Sequence, residues 1–257
     1  EISLGLVGSE MCIRDRHDLR LSVIEACNFR CGYCMPADRM PAGHGFDAAG
    51  RMDFDEIETL VRAFARLGLR KLRLTGGEPL LRRDLPLLVA RLARIPGIVE
   101  LALTTNGSLL GRHARALRDA GLHRLTVSLD ALEPARFRAL SGGRGDVADV
   151  LAGIDAAQAA GFERLKLNCV VQRGVNDDQV LLLVERFRRS GHVLRFIEYM
   201  DVAGAGRPLR PLIAQGEDRV VEELMMLWTR RADRYSELRG ASPQAPRQRV
   251  EMFLVGG

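Results

Sequence analysis

The feature that most constrains the fold is a regular alternation of short β-rich runs with amphipathic helical patterns. The β-rich runs are "LRLSVIE", "RKLRLT", "VELALTT", "HRLTVSLD", "RLKLNCVVQ" and "VLRFIEYM". Strands separated by helical stretches predict βα units and a parallel sheet. Such a sheet can be open and doubly wound, or it can close into a full or partial barrel. In each case ligands bind at the carboxyl ends of the strands, which is where the polar motifs of this chain fall.

Local signals predict where two of the helices end or begin. The stretch 55–67 predicts a helix with one apolar stripe, and Gly68 stops it. Asn176 and Gln179 have the spacing of a capping box, which predicts the start of a helix whose apolar stripe ends at Phe187.

The chain has 257 residues, which is enough for one large α/β domain and a small additional region. Residues 1–16 have no periodicity and resemble translated adapter or vector sequence, so we exclude them from the fold. We place the core domain at residues 17–202, because the alternation of strands and helices stops after Met200. Residues 203–257 form a C-terminal region with one amphipathic pattern, "VVEELMMLWTRRADRY", and a Gly-Gly end.

The formal net charge is +5, and only Lys71 and Lys166 of the cations are lysines. Compositional bias explains most of the arginines, and an anionic ligand is the functional alternative, because guanidinium groups fit phosphate and carboxylate. The charges are scattered, so we expect no nucleic-acid partner. No apolar run reaches the roughly 18 to 20 residues of a membrane span. Without a secretory signal either, we expect a cytoplasmic protein with no membrane partner.

Three of the five cysteines, Cys27, Cys31 and Cys34, follow the first predicted strand directly. Three close thiolates can hold a soft metal or an iron–sulfur cluster, and a four-iron cluster on three thiolates keeps one iron open. Zinc would need a fourth ligand, for which His44 is the nearest candidate, and buried free thiols are the third alternative. We favour the iron–sulfur cluster. Cys169 alternates within an apolar strand and is interpreted as a core residue.

Six motifs in series extend this interpretation: "DLRLSVIEACNFRCGYCMP", "LRLTGGEPLLRRDL", "LTTNG", "LTVSLDAL", "VVQRGVNDD" and "LRFIEYMDV". In this order and at this spacing they resemble the GTP 3',8-cyclase family of radical S-adenosylmethionine (SAM) enzymes, which acts in molybdenum cofactor biosynthesis. The resemblance extends from Asp18 to Val202 without a detectable gap. Any one of the motifs would be weak alone, whereas the series is highly specific.

The resemblance implies a partial (β/α)6 barrel of the radical SAM type, with a [4Fe-4S] cluster and SAM as cofactors and GTP as substrate. It also implies an electron donor for the cluster and leaves a homodimer open. By motif, the cluster ligands are Cys27, Cys31 and Cys34. The positions that match SAM contacts are Tyr33, Gly77, Ser128 and Met200, and those that match GTP contacts are Arg20, Arg73, Thr104 and Lys166.

The residues themselves agree with an anion pocket. Arg20, Arg73 and Lys166 alternate with apolar neighbours in predicted strands. A charge directed inward from a parallel strand is costly unless it is paired. A surface position would explain one such residue, but three at equivalent positions favour an anionic ligand. The two glycines of "TGGEP" would let the backbone approach a ligand closely, and they also fit a tight turn.

The chain departs from the family near its C-terminal end. The family holds a second [4Fe-4S] cluster with three further cysteines, and no cysteine follows Cys169 here. The residues after Val202 resemble the family's extreme C-terminus, so we expect an internal deletion between Val202 and about Gly206.

The family reaction is the radical cyclisation of GTP to (8S)-3',8-cyclo-7,8-dihydroguanosine 5'-triphosphate, catalysed by a lyase. Loss of the second cluster makes inactivity of this chain an expectation to test. The alternatives are another radical SAM enzyme and a non-catalytic remnant that binds a cluster.

Overall fold

The computed structural model describes residues 17–34, 51–199 and the backbone of 249–253. Helices and strands alternate along the described chain. The strands are β1 (Asp18–Ser22), β2 (Lys71–Thr75), β3 (Glu100–Thr105), β4 (Arg124–Ser128), β5 (Lys166–Val171), β6 (Val193–Glu198) and β7 (Arg249–Phe253). The helices are α1 (Phe54–Arg66), α2 (Leu85–Ala93), α3 (Leu110–Asp119), α4 (Pro134–Leu140), α5 (Val147–Ala159) and α6 (Gln179–Phe187), with a short 3₁₀ helix at Pro79–Leu81.

The strands form one parallel sheet in which the spatial order β1 to β7 is also the order in sequence. Crossovers between parallel strands are right-handed, so consecutive steps in one direction put all the helices on one face. This is the arrangement of a barrel rather than of a doubly wound sheet. The prediction of an α/β fold with a partial barrel is confirmed. The six expected strands are all present, and β7 pairs with β6 as a seventh that was not expected.

The outer face of the sheet is apolar and packs against the helices. Its side chains come from alternate positions of each strand, because successive residues of a strand point to opposite faces. All of them are at most 7% exposed: Leu72, Leu74, Leu101, Leu103, Leu125, Val127, Leu167, Cys169, Leu194 and Phe196. They belong to one continuous core with the buried residues of the helices. The position of Cys169 in this layer agrees with its interpretation as a core residue.

The inner face of the sheet is largely polar. Residues that are partners across a parallel ladder share a face, and the ladders join Arg20 with Arg73, Thr104 with Thr126 and Ser128 with Asn168. The polar residues on this face include Arg20, Arg73, Thr104, Thr126, Ser128, Lys166, Asn168 and Arg195. A sheet with one apolar and one polar face leaves the polar face available for a ligand.

The helix boundaries follow from capping and from glycine. A capping box starts α1, in which Asp53 and Glu56 each accept the other's backbone N–H. Gly68, at φ +100°, directly follows the C-cap residue Leu67, as predicted.

The capping box expected at Asn176 and Gln179 was wrong. The N-cap of α6 is Asp178, which makes no side-chain cap hydrogen bond. Asn176 Nδ2 instead donates to the carbonyl oxygens of Asp130 and Val170, both at 2.9 Å. Gln179 Oε1 accepts backbone N–H groups from the loop before α4. Both side chains are therefore used for contacts between elements, which spacing alone does not reveal.

Among the helices in the described part of the chain, none has the length and apolar character needed to cross a bilayer.

Candidate cluster and ligand site

The three clustered cysteines lie in the loop that follows β1. All three are free thiols; Cys27 and Cys31 are partly buried and Cys34 is exposed. A turn brings the last two together, with Cys34 N donating to Cys31 O at 3.0 Å. The three sulfurs are close enough that each pair interacts electrostatically. The loop therefore gathers three thiols at the carboxyl end of the first strand, as the sequence predicted.

Two glycines after β2 pack closely against the first residues of the cysteine loop. A Cβ atom on Gly76 would lie 2.3 Å from Ile24 O, and one on Gly77 would lie 2.3 Å from Ala26 O. Gly77 N donates to Ile24 O at 2.7 Å. The close approach that these glycines permit is thus to the backbone of the cysteine loop. A contact of Gly77 with SAM stays a prediction.

A second segment holds the middle of the loop. Arg30 N donates to Ser141 O at 3.0 Å, and a Cβ atom on Gly142 would lie 2.3 Å from Arg30 O. The rings of Phe29 and Phe137 meet edge to face at 6.0 Å between centroids. The loop is therefore held by main-chain hydrogen bonds and by packing on both sides.

The environment of the thiols favours their protonated form when no metal is bound. Burial raises the pKa of Cys31 to about 12, and the nearby Asp130 carboxyl adds to the shift. Burial also raises the pKa of Cys27. Desolvation raises the pKa of Cys34, and the Arg20 guanidinium opposes this shift. Since a metal binds the thiolate, loading of the site must release protons.

Tyr33 is anchored by a carboxylate that the sequence analysis did not single out. Its hydroxyl donates to Asp130 Oδ2 at 2.7 Å, and its ring meets Tyr199 at 6.4 Å. Asp130 is buried and also accepts from Val170 N at 2.8 Å. Burial raises the pKa of Asp130, which the two donors partly offset. The sequence did offer a signal for Asp130: it stands at the "SLD" end of the fourth β-rich run, and an acid buried at the end of a strand needs a partner.

Glu78 is a second buried acid that was not singled out. It is fully buried and accepts from Leu80 N at 3.0 Å, Thr105 Oγ1 at 2.7 Å and Asn106 N at 2.7 Å. Burial raises its pKa, and these three donors oppose the shift. Glu78 therefore joins the end of β2 to the end of β3 beside the cysteine loop. Its position inside "TGGEP" marked it only as part of a motif.

The expected GTP-binding residues lie together on the inner face of the sheet. Arg20 and Arg73 are direct partners across β1 and β2. Thr126 on β4 is the ladder partner of Thr104 on β3 and of Lys166 on β5, so the three residues lie in one row across the inner face. Arg73 Nε is buried and has no hydrogen-bond partner among the described residues. A buried guanidinium N–H needs a partner, and a ligand, a water molecule or a residue outside the described ranges can supply it.

The SAM positions extend the same surface. Ser128 is the ladder partner of Asn168, whose Oδ1 is buried without a donor in the described chain. Asn168 was not singled out, although its alternation with Leu167 and Cys169 placed it on the polar face. Met200, His44 and the Gly-Gly end lie outside the described residues, and of the C-terminal region only the backbone of 249–253 is described.

Among the described residues, no three His, Cys, Asp or Glu side chains converge as they would around a single ion. A four-iron cluster is wider than one ion, and its thiolates need no such convergence. The donor set fits the cluster in chemistry, since three soft thiols stand on one loop.

Comparisons with known proteins agree with this geometry. The sequence pattern of the Radical SAM superfamily matches residues 21–187. A GTP 3',8-cyclase from Xanthomonas axonopodis pv. citri is 49% identical over 325 aligned residues, which cover 95% of this chain and 97% of that protein. The chain belongs to the GTP 3',8-cyclase family of the radical SAM superfamily. Family membership confirms the expected class of enzyme and its cofactors, a [4Fe-4S] cluster and SAM.

The relatives also show that this chain is shorter than the proteins it matches. The alignment with the Xanthomonas protein is 325 residues long and this chain has 257, so at least 68 aligned positions have no residue here. A GTP 3',8-cyclase from Acidothermus cellulolyticus is 55% identical over 193 residues, which cover 75% of this chain but 53% of that protein.

Solved structures show the same fold at low identity. SuiB from Streptococcus suis, bound to its precursor peptide SuiA, has a TM-score of 0.71 at 16% identity, covering 92% of this chain and 48% of that one. The enzyme anSMEcpe, with bound AdoMet and a peptide, has a TM-score of 0.65 at 18% identity, covering 91% and 62%. At these identities the likeness supports the fold alone.

Proposed function

We propose that the core at residues 17–202 is a radical SAM site that takes GTP and directs its cyclisation to (8S)-3',8-cyclo-7,8-dihydroguanosine 5'-triphosphate, in molybdenum cofactor biosynthesis. The observation that carries the proposal is Arg73 Nε, buried and without a partner among the described residues, on the polar face beside Arg20. The relatives named above as GTP 3',8-cyclases support GTP as the anion.

Cys27, Cys31 and Cys34 would hold the [4Fe-4S] cluster. The three thiols share one loop, and the loop is fixed by Gly76 and Gly77. Their raised pKa values predict that loading releases protons, so binding of the cluster should be more favourable at alkaline pH.

Tyr33, Gly77, Ser128 and Met200 would contact SAM. Asp130 would act on this part of the site by fixing the Tyr33 ring through the hydrogen bond to its hydroxyl. When bound, the reduced cluster and SAM would supply a 5'-deoxyadenosyl radical for hydrogen abstraction from the ribose of GTP.

Arg20, Arg73, Thr104 and Lys166 would hold the triphosphate. Arginine forks donate two parallel N–H groups to phosphate oxygens, and the partly buried position of these strands strengthens such contacts. Fixing the triphosphate against the rigid sheet orients the ribose relative to the cysteine loop. The contribution of the protein is therefore positioning and exclusion of side reactions.

We further propose that the positions missing from the alignment include the segment for the second cluster. Matches of 193 and 190 residues cover 75% and 74% of the chain, as gap-free matches would, so the missing positions lie outside this stretch. No cysteine follows Cys169 in the sequence. The chain as written should then bind one cluster and lack the guanine anchor.

The test is anaerobic reconstitution with iron and sulfide, followed by incubation with SAM, GTP and dithionite. We expect about four irons per chain, as for one [4Fe-4S] cluster. The chain should form 5'-deoxyadenosine and leave GTP unchanged, and reinstating the segment between Val202 and Gly206 should restore conversion of GTP. About eight irons in the chain as written would contradict the deletion. A restored chain that cleaves SAM but never converts GTP would contradict the substrate.

Two outcomes would favour other functions. Conversion of a different substrate by the restored chain, with no GTP binding, would indicate another radical SAM activity. Iron binding without cleavage of SAM, even after restoration, would indicate a non-catalytic remnant that binds a cluster.

A further inference from the structure

Asn106 lies beside the first cysteine of the loop and has no role in the assignments made above. Its Nδ2 atom is 3.9 Å from Cys27 Sγ and 2.8 Å from Asn28 Oδ1. The sulfur also accepts from Phe29 N at 3.4 Å. Cys27 thus has two N–H donors directed at it, one from its own loop and one from the loop after β3.

The orientation of the Asn106 amide is fixed by its other end. Asn106 Oδ1 accepts from Ser108 N at 3.0 Å and from Ser108 Oγ at 2.8 Å. Ser108 Oγ in turn accepts from Asn28 Nδ2 at 2.9 Å. A flipped amide would lose two donors on one side and one acceptor on the other. The NH₂ group must therefore face Cys27.

The backbone of Asn106 is held as firmly as its side chain. Asn106 N donates to the buried carboxylate of Glu78 at 2.7 Å, and Gly107 N donates to Thr105 Oγ1 at 3.0 Å. Gly107 has φ of +81°, and a Cβ atom there would lie 2.7 Å from Val127. The amide is thus pre-organised by groups that do not themselves touch the thiols.

We propose that Asn106 is a positioning residue for Cys27, and that its N–H raises the reduction potential of the bound cluster. The proposal rests on the assignment of Cys27 as a cluster ligand. An added electron increases the negative charge on the ligand sulfurs, so a donor aimed at one of them stabilises the reduced form more than the oxidised form. The radical reaction needs the reduced cluster, so this contact would set how easily the chain starts a turnover.

The test measures the midpoint potential of the reconstituted cluster by dithionite titration with EPR detection, without GTP. Asn106→Ala removes the donor, and Asn106→Asp keeps an acceptor for Ser108 while removing the donor. We expect the equilibrium constant for reduction to fall by about tenfold, the low end for hydrogen bonds to charged groups, which is about 59 mV for one electron. Asn106→Asp should shift further because it adds negative charge.

The chain offers a matched control. Asn176 Nδ2 also lies 3.9 Å from a cysteine sulfur, that of Cys169, which is a core residue. Asn176→Ala should lower stability and leave the potential unchanged. If that variant does not fold, Ser108→Ala serves instead: Asn106 keeps the Ser108 N–H, so the potential should change little.

An unchanged potential in Asn106→Asp with full iron content would overturn the proposal. Loss of iron from both Asn106 variants would also overturn it, since Asn106 would then hold the loop rather than tune the cluster. If the Cys27→Ala variant, with Asn106 intact, kept its full iron content, the assignment of Cys27 as a ligand would fail instead. Iron counting separates this failure from a failure of the proposal on Asn106.

Discussion

The two faces of the parallel sheet are built from neighbouring residues and have opposite properties. Leu103 and Thr104 are adjacent in β3, yet the first is fully buried under the helices and the second lies on the polar inner face. On the outer face each side chain packs against others of the same chain. On the inner face the described chain leaves Arg73 Nε and Asn168 Oδ1 buried without partners. The outer face therefore stabilises the fold, and the inner face is where we propose that the ligands bind.

The cysteines give the largest test of this comparison. Cys27→Ala should abolish the cluster, because two thiolates remain of the three that hold it. Cys169→Ala, on the outer face, should keep the full iron content. Iron analysis and the visible absorbance after reconstitution measure both. Loss of the cluster in Cys169→Ala would break the division between the faces.

Adjacent positions in β3 give the next test. Leu103→Ala should lower the free energy of unfolding by about 2–5 kcal/mol, as for other large-to-small changes in a core. Thr104→Val replaces one hydroxyl on the inner face with a methyl group, and we expect a change below about 1.5 kcal/mol. Urea unfolding measures both changes, and calorimetry with the restored chain measures the GTP binding that is compared next.

The outcome expected for GTP reverses the order of the two residues. Thr104→Val should weaken binding by about three- to tenfold, the range for one neutral hydrogen bond. Leu103→Ala should leave the affinity unchanged as long as the protein is folded at the temperature of the measurement. Equal effects of both variants on GTP would mean that the faces are coupled.

Arg73 separates binding from stability at a single residue. Arg73→Met should weaken GTP binding by about ten- to a hundredfold, because a charge-assisted contact contributes roughly 1.5 to 3 kcal/mol. Its free energy of unfolding should stay the same or rise, since a partly buried guanidinium with an unpaired Nε–H is removed. SAM binding should not change.

The control for Arg73 is Arg118 on α3. Arg118 lies 5.3 Å from the centre of the Phe162 ring and donates to Leu122 O at 3.2 Å. Arg118→Met should lower stability slightly and leave GTP binding unchanged. A loss of stability in Arg73→Met larger than in Arg118→Met would indicate that Arg73 is a structural residue.

The sequence predicted most of the fold, because the periodicity of strands and helices is a local property. The helix α4 was missed: it has seven residues, too few to show an apolar stripe. The strand β7 was missed because its pairing partner β6 is about fifty residues away in the chain. Nothing local distinguishes such a strand from an apolar end.

The position of the three thiols could be predicted because the spacing of the cysteines along the chain already places them on one loop. Asp130, Glu78 and Asn106 were not predictable as individual residues. Each is an ordinary polar side chain whose importance depends on what the fold brings to it, Tyr33 in one case and Cys27 in another. The glycines of "TGGEP" were interpreted as a close approach to a ligand or as a tight turn, and their close approach to the cysteine loop was not foreseen.

The smallest expected effect concerns a buried polar group that does have a partner in the chain. His192 is 1% exposed, and its Nδ1 lies 3.5 Å from Leu165 N, from which it accepts in the neutral form. Burial lowers the pKa of His192, against a weaker opposing effect of Asp155. In the unfolded chain a histidine titrates near about 6.5. As the pH falls below that value, the unfolded state takes up the proton first, so the free energy of unfolding should fall until the folded-state pKa is reached.

His192→Gln should remove this part of the acid dependence, which urea unfolding of the iron-free chain between pH 8 and pH 5 would measure. Above about pH 7 both forms of His192 are neutral, and the difference between the two proteins should be constant. If His192→Gln kept the full acid dependence, neutral His192 would not be the group that stabilises the start of β6. The comparison between buried polar groups with and without a partner would then depend only on the residues of the inner face.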